Sequence, residues 1–446
     1  MNSSSIRRSL DTLSFCALVL YILDIILLGT GLVTKYGPIS TRILFFAVAF
    51  IAAIPRMWEY RKVLIKNKYI WMICAFLFYA AIMAVYGYFA GNRVDIMVQD
   101  LKGYINLAIL PVMMVMLDSK EKIIKLLKFI FCGCLAVALL SFLFSFLRFF
   151  PNSIASYLMD RLTYYGITQL TFLTDRATRV FFDTGTRYMF TAFIIGLYFA
   201  ASKDKPNKLV IIASGAIMAS MFISYTRGIY LGALVAGITA VVLVWVTAKA
   251  YLISALKSFA VITAVCVVFI SGLSLMQSEN LFYIGFWRTV TGMQVDTTGW
   301  EVAENSNVES EIESLSVREM RKANAIKAIK ESPVFGKGLG YGSDEKNGYI
   351  EYFYYDLWAK TGIVGVILFL LPPVVLLIEI IKKRKRVSEH TLMFHSLMFA
   401  SAVFVFVISY FNPCMNSTVG LSIFSLSITA ISPANRWDIR PVQSGE

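Results

Sequence analysis

The sequence predicts an all-α polytopic membrane protein with about twelve transmembrane helices and one large loop on the non-cytoplasmic side, and three observations carry that reading. Hydrophobic residues make up 58% of the 446-residue chain and charged residues 16%, with a mean hydropathy of +0.68; a soluble globular domain carries roughly 25% charged residues. The apolar residues gather in runs near the roughly 20 needed to cross about 30 Å of hydrocarbon. Lys and Arg concentrate in alternate connections between those runs.

Arg7 and Arg8 precede an apolar run that continues past Leu28 with no small-residue cleavage pattern after it, so it reads as a first span over 12–33 rather than a removed signal peptide. Further spans are expected at 39–55, 69–89, 103–117, 129–147, 187–202, 208–224, 229–247, 253–274, 362–381, 391–411 and 416–432. These segments must be helical, because lipid offers no partner to a backbone N–H or C=O. The chain then divides into residues 1–275, with helices one to nine and an outer loop at about 148–187; a large outer loop over 276–361; and 362–446, with helices ten to twelve and a cytoplasmic tail.

With both termini in the cytoplasm, the inner connections are 56–68, 118–128, 203–208, 248–257 and 382–386, all but one dense in cations. Together with Arg7, Arg8, Arg436 and Arg440 they hold more than half of the 42 Lys and Arg residues. The net charge of +14 is thereby explained by topology, and nucleic acid needs no role. The six cysteines lie mostly inside apolar runs and read as small apolar side chains; Cys132 and Cys134, one residue apart, lack the spacing of a zinc site. The loop over 276–361 begins aromatic (Phe282, Tyr283, Phe286, Trp287), passes through an acidic stretch at 296–313 that reads as solvated loop, and turns helical over 317–330.

Four groups of residues are candidates for chemistry. Arg227 ends an apolar helix after Ser224, Tyr225 and Thr226, where its guanidinium is a snorkelling anchor or an anion ligand at the outer surface. Arg318, Arg321 and Lys322 fall within about one helical turn, a cluster able to hold a diphosphate; Pro333 stops that helix, and Gly336, Gly338 and Gly340 let a ligand or another backbone approach closely. Glu351 and Asp356 sit among Tyr349, Tyr352, Phe353, Tyr354, Tyr355 and Trp358, where desolvation can raise a carboxylate toward general-base range and aromatic rings can stack on sugars or simply mark the interface. Arg176, Arg179 and Arg187 form a further basic set in the other outer loop, and Arg288 is an additional cation.

These residues resemble the bacterial O-antigen ligase and polymerase superfamily of membrane glycosyltransferases. Ser224, Thr226 and Arg227 match its helix end of Ser-x-(Ser/Thr)-Arg type; Arg318, Ile329, Pro333, Gly336 and Gly338 fall in the register of its periplasmic loop, and Gly362 and Gly365 in its Gly-x-x-Gly entry to the next span. Glu351 stands where ligases have histidine, and the chain's His390 and His395 are expected near the cytoplasmic end of a span.

The resemblance implies a GT-C-like fold in the bacterial inner membrane, with undecaprenyl-diphosphate-linked oligosaccharide as donor and acceptor, membrane lipid as surroundings and a chain-length regulator protein as a candidate partner. It implies that Arg227 and Arg318 hold the diphosphate while Glu351 acts as base, without a metal or cofactor; Arg176, Arg179, Arg187, Arg288, Arg321, Tyr352 and Asp356 are candidates for substrate contact, Asp356 also as a less favoured base. The missing histidine favours a polymerase of lipopolysaccharide O-antigen or a similar polysaccharide over a ligase acting on lipid A core. A transporter is the alternative from another class; it would be expected to show internal repeats and mid-span charge, of which Asp24 is the evident instance.

Overall fold

A computed structural model of the chain describes residues 3–29, 35–36, 39–174, 176–202, 206–290, 306–342 and 350–432. The chain opens with α1 (Ser3–Leu27), a minimal hairpin of β1 (Lys35–Tyr36) and β2 (Ile39–Ser40), α2 (Thr41–Glu59), the short α3 (Arg61–Lys66) and α4 (Lys68–Phe89). Next come α5 (Val94–Tyr104), α6 (Ile109–Met116) and α7 (Lys120–Ser145). The connection that follows α7 contains α8 (Asn152–Tyr164) and an antiparallel hairpin of β3 (Thr168–Phe172) and β4 (Thr178–Phe182), with Thr168 opposite Phe182. After it follow α9 (Gly185–Ala201), α10 (Lys208–Ile223), α11 (Arg227–Thr247), α12 (Lys249–Gln277), α13 (Leu281–Val290) and α14 (Ser306–Glu331). The chain closes with α15 (Phe353–Lys383), α16 (Glu389–Ile408) and α17 (Thr418–Ile431).

Among the described residues, eight helices are long and apolar enough to cross a membrane: α1, α2, α4, α7, α11, α12, α15 and α16. The most apolar stretch of α16 is 83% buried, whereas that of α2 is 17% buried, so α16 runs through the centre and α2 along the lipid-facing rim. The packing of α9 and α17 against α16 completes a central layer whose residues are almost all enclosed. Lipid gives helices no hydrophobic reason to associate, so that layer relies on small and polar residues. Thr247 Oγ1 and Ser396 Oγ share a hydrogen bond of 3.0 Å, Ser427 Oγ donates to the Met398 carbonyl at 2.9 Å, and a Cβ on Gly232 would come within 2.6 Å of Ile408.

The expected span at 103–117 is not one helix. The end of α5, a 3-10 turn over Ile105–Ala108 and the eight-residue α6 divide it, and α6 rises only about 12 Å. Its residues Val112 and Met113 are fully enclosed, the setting in which irregular backbone at membrane depth is tolerated. At 17, 16 and 14 residues, α9, α10 and α17 rise roughly 21–25 Å and fall short of a full hydrocarbon crossing. Part of the acidic stretch expected to be loop is helical, since α14 begins at Ser306; the stretch 296–305 lies outside the described residues.

Side-chain contacts sort the connections to two ends of the bundle. At one end the Arg56 guanidinium pairs with both Asp11 and Asp118, Lys68 Nζ lies 2.7 Å from Glu379, and the Glu389 carboxylate accepts from the Ala250 N–H at 2.8 Å. This is the end that gathers the Lys- and Arg-rich connections 56–68, 118–128 and 382–386. At the other end Thr184 donates to the Ile25 carbonyl, Gln277 Nε2 to the Ser145 carbonyl at 3.1 Å, and the Leu339 N–H to the Met83 carbonyl at 2.9 Å.

Candidate active site

At that second end α14 stops at Glu331, two residues before Pro333, and the chain turns through Gly336, Gly338 and Gly340 with φ of +75°, +89° and +80°. Each glycine is required by a neighbouring backbone: a Cβ on Gly336 would come within 2.6 Å of Gly362 N, one on Gly338 within 2.5 Å of Gly87 Cα, and one on Gly340 within 2.6 Å of the Arg93 carbonyl oxygen. The turn donates from Lys337 N to the Ala359 carbonyl at 2.8 Å and from Gly338 N to the Lys360 carbonyl at 3.0 Å, while Asn92 Nδ2 donates to the Lys337 and Leu339 carbonyls at 2.9 and 3.0 Å. Of the two uses open to these glycines, the described contacts are with backbone.

The opposing partner is the start of α15. Gly362, at φ +64° and ψ −174°, breaks helical geometry inside α15 and separates a short arm over 353–361 from the long apolar segment beyond it. Lys360 on this arm is buried between Asp356, 2.7 Å away, and Asp100 of α5, also 2.7 Å away, and the second Asp100 oxygen accepts from Gly340 N at 3.0 Å. Asp356 is therefore enclosed at 1% exposure, paired with Lys360 rather than facing the surface where Glu351 lies.

Glu351, just before the arm, pairs with the Arg318 guanidinium and stands 3.5 Å from Arg321 Nη1. The side chain of Arg318 is 42% exposed and that of Arg321 11%, so Arg318 presents the accessible charge of the pair. Tyr352 OH donates to Glu319 Oε1 at 3.2 Å, and Lys322 Nζ lies 5.5 Å from the Tyr352 ring and 6.0 Å from the Tyr355 ring. Burial and the adjoining Glu319 carboxylate raise the Tyr352 phenol above its ordinary value, so it remains a donor at neutral pH. The Tyr352 and Tyr355 rings both pack on Tyr410, at 6.1 and 6.5 Å, beyond the end of α16.

The second cationic group is built on the turn from α10 to α11. Tyr225 takes φ +47°, unusual for a residue with a side chain, and Arg179 of β4 holds the turn by donating from Nε to the Ser224 carbonyl at 3.0 Å and from Nη2 to Thr226 Oγ1 at 3.3 Å. Arg227 is exposed in the first turn of α11, and a Cβ on its neighbour Gly228 would meet Phe411 at 3.3 Å. Arg187 pairs with Asp183 at 2.9 Å close to Cys414, where burial pushes the thiol up to about 11 while the Arg187 charge acts in the opposite sense.

The segment between α16 and α17 thus touches all three groups: Tyr410 meets Tyr352 and Tyr355, Phe411 meets Gly228 beside Arg227, and Cys414 lies near Arg187. Arg176 is exposed in the β3–β4 connection, and Arg288 falls on α13 with its side chain outside the described residues. His390, near Tyr198, and the buried His395 occupy the first two turns of α16, at the end marked by Glu389 and Ala250. Among the described residues, no three His, Cys, Asp or Glu side chains converge to hold a metal ion.

Sequence reasoning missed Lys360, Asp100 and the 409–417 segment as organising elements. Lys360 stands four residues after Asp356, an i,i+4 pair ahead of a span that was available as a signal; Asp100 offers none, being 260 positions away in sequence. The fold and its two ends define a multi-pass α-helical membrane protein. No family model matches the chain, and no curated protein matches it.

Proposed function

We propose that the protein is a polysaccharide polymerase that joins undecaprenyl-diphosphate-linked oligosaccharide repeats by inverting glycosyl transfer at the outer face of the bacterial cytoplasmic membrane. The observation that carries this reading is the 409–417 segment, whose Tyr410 packs on Tyr352 next to the Arg318, Arg321 and Glu351 group and whose Phe411 lies against Gly228 next to Arg227, at the bundle end opposite the Lys- and Arg-rich connections. The motif register leading to the superfamily supports it further. In this reading the twelve apolar segments form a GT-C-like bundle, with α9, α10 and α17 crossing in the bilayer as shorter members, and both termini are cytoplasmic.

The donor diphosphate displaces Glu351 from Arg318. Arg318 and Arg227 then take the phosphate oxygens in charge-assisted hydrogen bonds, and the released Glu351 carboxylate accepts the proton of the acceptor sugar hydroxyl. That hydroxyl oxygen bonds to the anomeric carbon from the face opposite the diphosphate. The bond from anomeric carbon to phosphate oxygen breaks, and its electron pair leaves with the lipid diphosphate, whose growing charge the preorganised guanidiniums stabilise. The aromatic surface of Tyr352, Tyr355 and Tyr410 offers a place for sugar rings to stack.

The test is polymer formation from purified lipid-diphosphate repeat units in detergent. Wild type is expected to yield a ladder of products, and Arg227→Ala, Arg318→Ala and Glu351→Gln to lose it by about 10²-fold or more each. Transfer only to a foreign acceptor would indicate the ligase reading, and no transfer at all with intact folded protein would overturn the enzyme.

A further inference from the structure

At the bundle end that gathers the Lys- and Arg-rich connections lies a pocket of about 560 Å³, lined by Trp245, Val246 and Thr247 at the end of α11, Lys249 at the start of α12, Arg384 just beyond α15 and Glu389 at the start of α16. Lys249 and Arg384 are exposed, and among the described residues neither pairs with a carboxylate. Arg384 Nη1 approaches only the Val246 carbonyl, at 3.5 Å. The acid of the lining is engaged elsewhere, since Glu389 accepts the Ala250 N–H in the first turn of α12 at 2.8 Å. That helix starts after a single turn residue, Ala248, which has no side-chain oxygen to cap it, so the positive end of the helix dipole adds to the two cations. Toward the apolar part of the bundle the pocket runs into exposed hydrocarbon: Val242 and Trp245, three residues apart on α11, and Ile378 and Ile381, three apart on α15. Trp245 borders the pocket at the level where an indole ring bridges hydrocarbon and headgroups.

We propose that this pocket binds the headgroup phosphate of an anionic phospholipid, held between Lys249 and Arg384, so that one lipid ties the turn from α11 to α12 to the turn from α15 to α16. The phosphate oxygens take charge-assisted hydrogen bonds from the ammonium and the guanidinium, two donors that no carboxylate of the described residues occupies. A zwitterionic headgroup would bring its own cation against the same two charges, so the pocket selects a lipid of net negative charge. The exposed hydrocarbon of Val242, Ile378 and Ile381 beside it selects a lipid over a free phosphate, because it gives acyl chains a surface to lie on. The site stands at the end away from Arg227 and Glu351 and does not depend on the polymerase reading.

The experiment is native mass spectrometry of the full-length protein in detergent, titrated with dioleoylphosphatidylglycerol and, separately, with dioleoylphosphatidylcholine. Wild type should bind the first more tightly than the second. Lys249→Gln and Arg384→Gln should each weaken phosphatidylglycerol binding about fivefold and leave phosphatidylcholine binding unchanged. Arg384→Lys, which keeps the charge, should retain most of the affinity, and Glu389→Gln, which keeps an acceptor for Ala250 but removes the negative charge of the lining, should tighten it. The double variant Lys62→Gln, Lys66→Gln removes two equally exposed cations from α3 at the same end and should bind as wild type does. An equal loss in that α3 variant would mean diffuse attraction to a basic surface, and equal affinity for the two lipids would mean ordinary bulk lipid; either overturns the proposal. Glycerol 3-phosphate, the headgroup chemistry without chains, should not compete at the concentrations at which the lipid binds. Full competition would give the pocket to a soluble phosphate compound and overturn the lipid, and weaker binding in Glu389→Gln would do so by pointing to a cationic occupant.

Discussion

Lys360 carries its charge at 1% exposure because two carboxylates, Asp100 and Asp356, each stand 2.7 Å from its ammonium. A buried ion pair adds little over an apolar replacement of the whole set, yet removing a single partner leaves uncompensated charge. Lys360→Met would press two unpaired carboxylates together and is expected to cost about 3–5 kcal/mol in denaturant unfolding in detergent. The triple change Lys360→Met, Asp100→Asn, Asp356→Asn should recover much of that loss; a single Lys360→Met variant as stable as wild type would remove the triad from the account. Asp118 makes a pH-dependent contribution at the opposite end. Burial works against its charge, but a hydrogen bond from Lys122 and the Arg56 charge outweigh it and hold the carboxyl below the usual range. A native value below the unfolded one of about 3.9 means that this stabilisation is complete above the unfolded value and fades as pH falls through the native one. Acid unfolding followed from about pH 7 to about pH 3 should show that fading, and Asp118→Asn should flatten it.

The turn over 336–340 ties α14 to the bundle, because its glycines let backbone meet backbone at Gly87, Arg93 and Gly362. Gly338→Ala imposes a strained φ and a clash with Gly87 Cα, and is expected to cost about 1–3 kcal/mol. Hydrogen exchange would show the effect as faster exchange in α14 and the arm over 353–361, with α9 and α17 unchanged; uniform loss throughout would mean that the turn is no separate anchor. Much of this element was legible. Pro333 marked the stop of α14, the glycines marked close approach, and Gly362 marked the beginning of the span. The start of α14 was not, since Glu309, Glu311 and Glu313 make the helix look like solvated loop. Nor was the break at 105–108, because an unbroken apolar run fits a buried short helix as well as a span, and periodicity does not separate them. The hydrogen bond from Arg179 of β4 to the Ser224 carbonyl joins positions 45 residues apart and left no local pattern.

Across the whole molecule, charge and geometry agree on a division that the sequence already contained. The connections rich in Lys and Arg meet at one end through Arg56, Lys68 and Lys383, while the arginine and carboxylate group around Glu351 lies at the other. Cationic connections stay in the cytoplasm during insertion, and short connections such as 56–68 and 382–386 are those on which that bias acts most strongly. The consequence can be read in intact spheroplasts with a membrane-impermeant maleimide, after the chain's own cysteines are replaced. Lys327→Cys, on the exposed side of α14, should react from outside; Lys385→Cys, beyond the end of α15, should react only once the membrane is opened. For the proposed polymerase the order matters, because it fixes which pool of lipid-linked donor Arg227 and Arg318 would meet. The reverse labelling pattern would place both arginines in the cytoplasm, and a polymerase working at the outer face would then have no site.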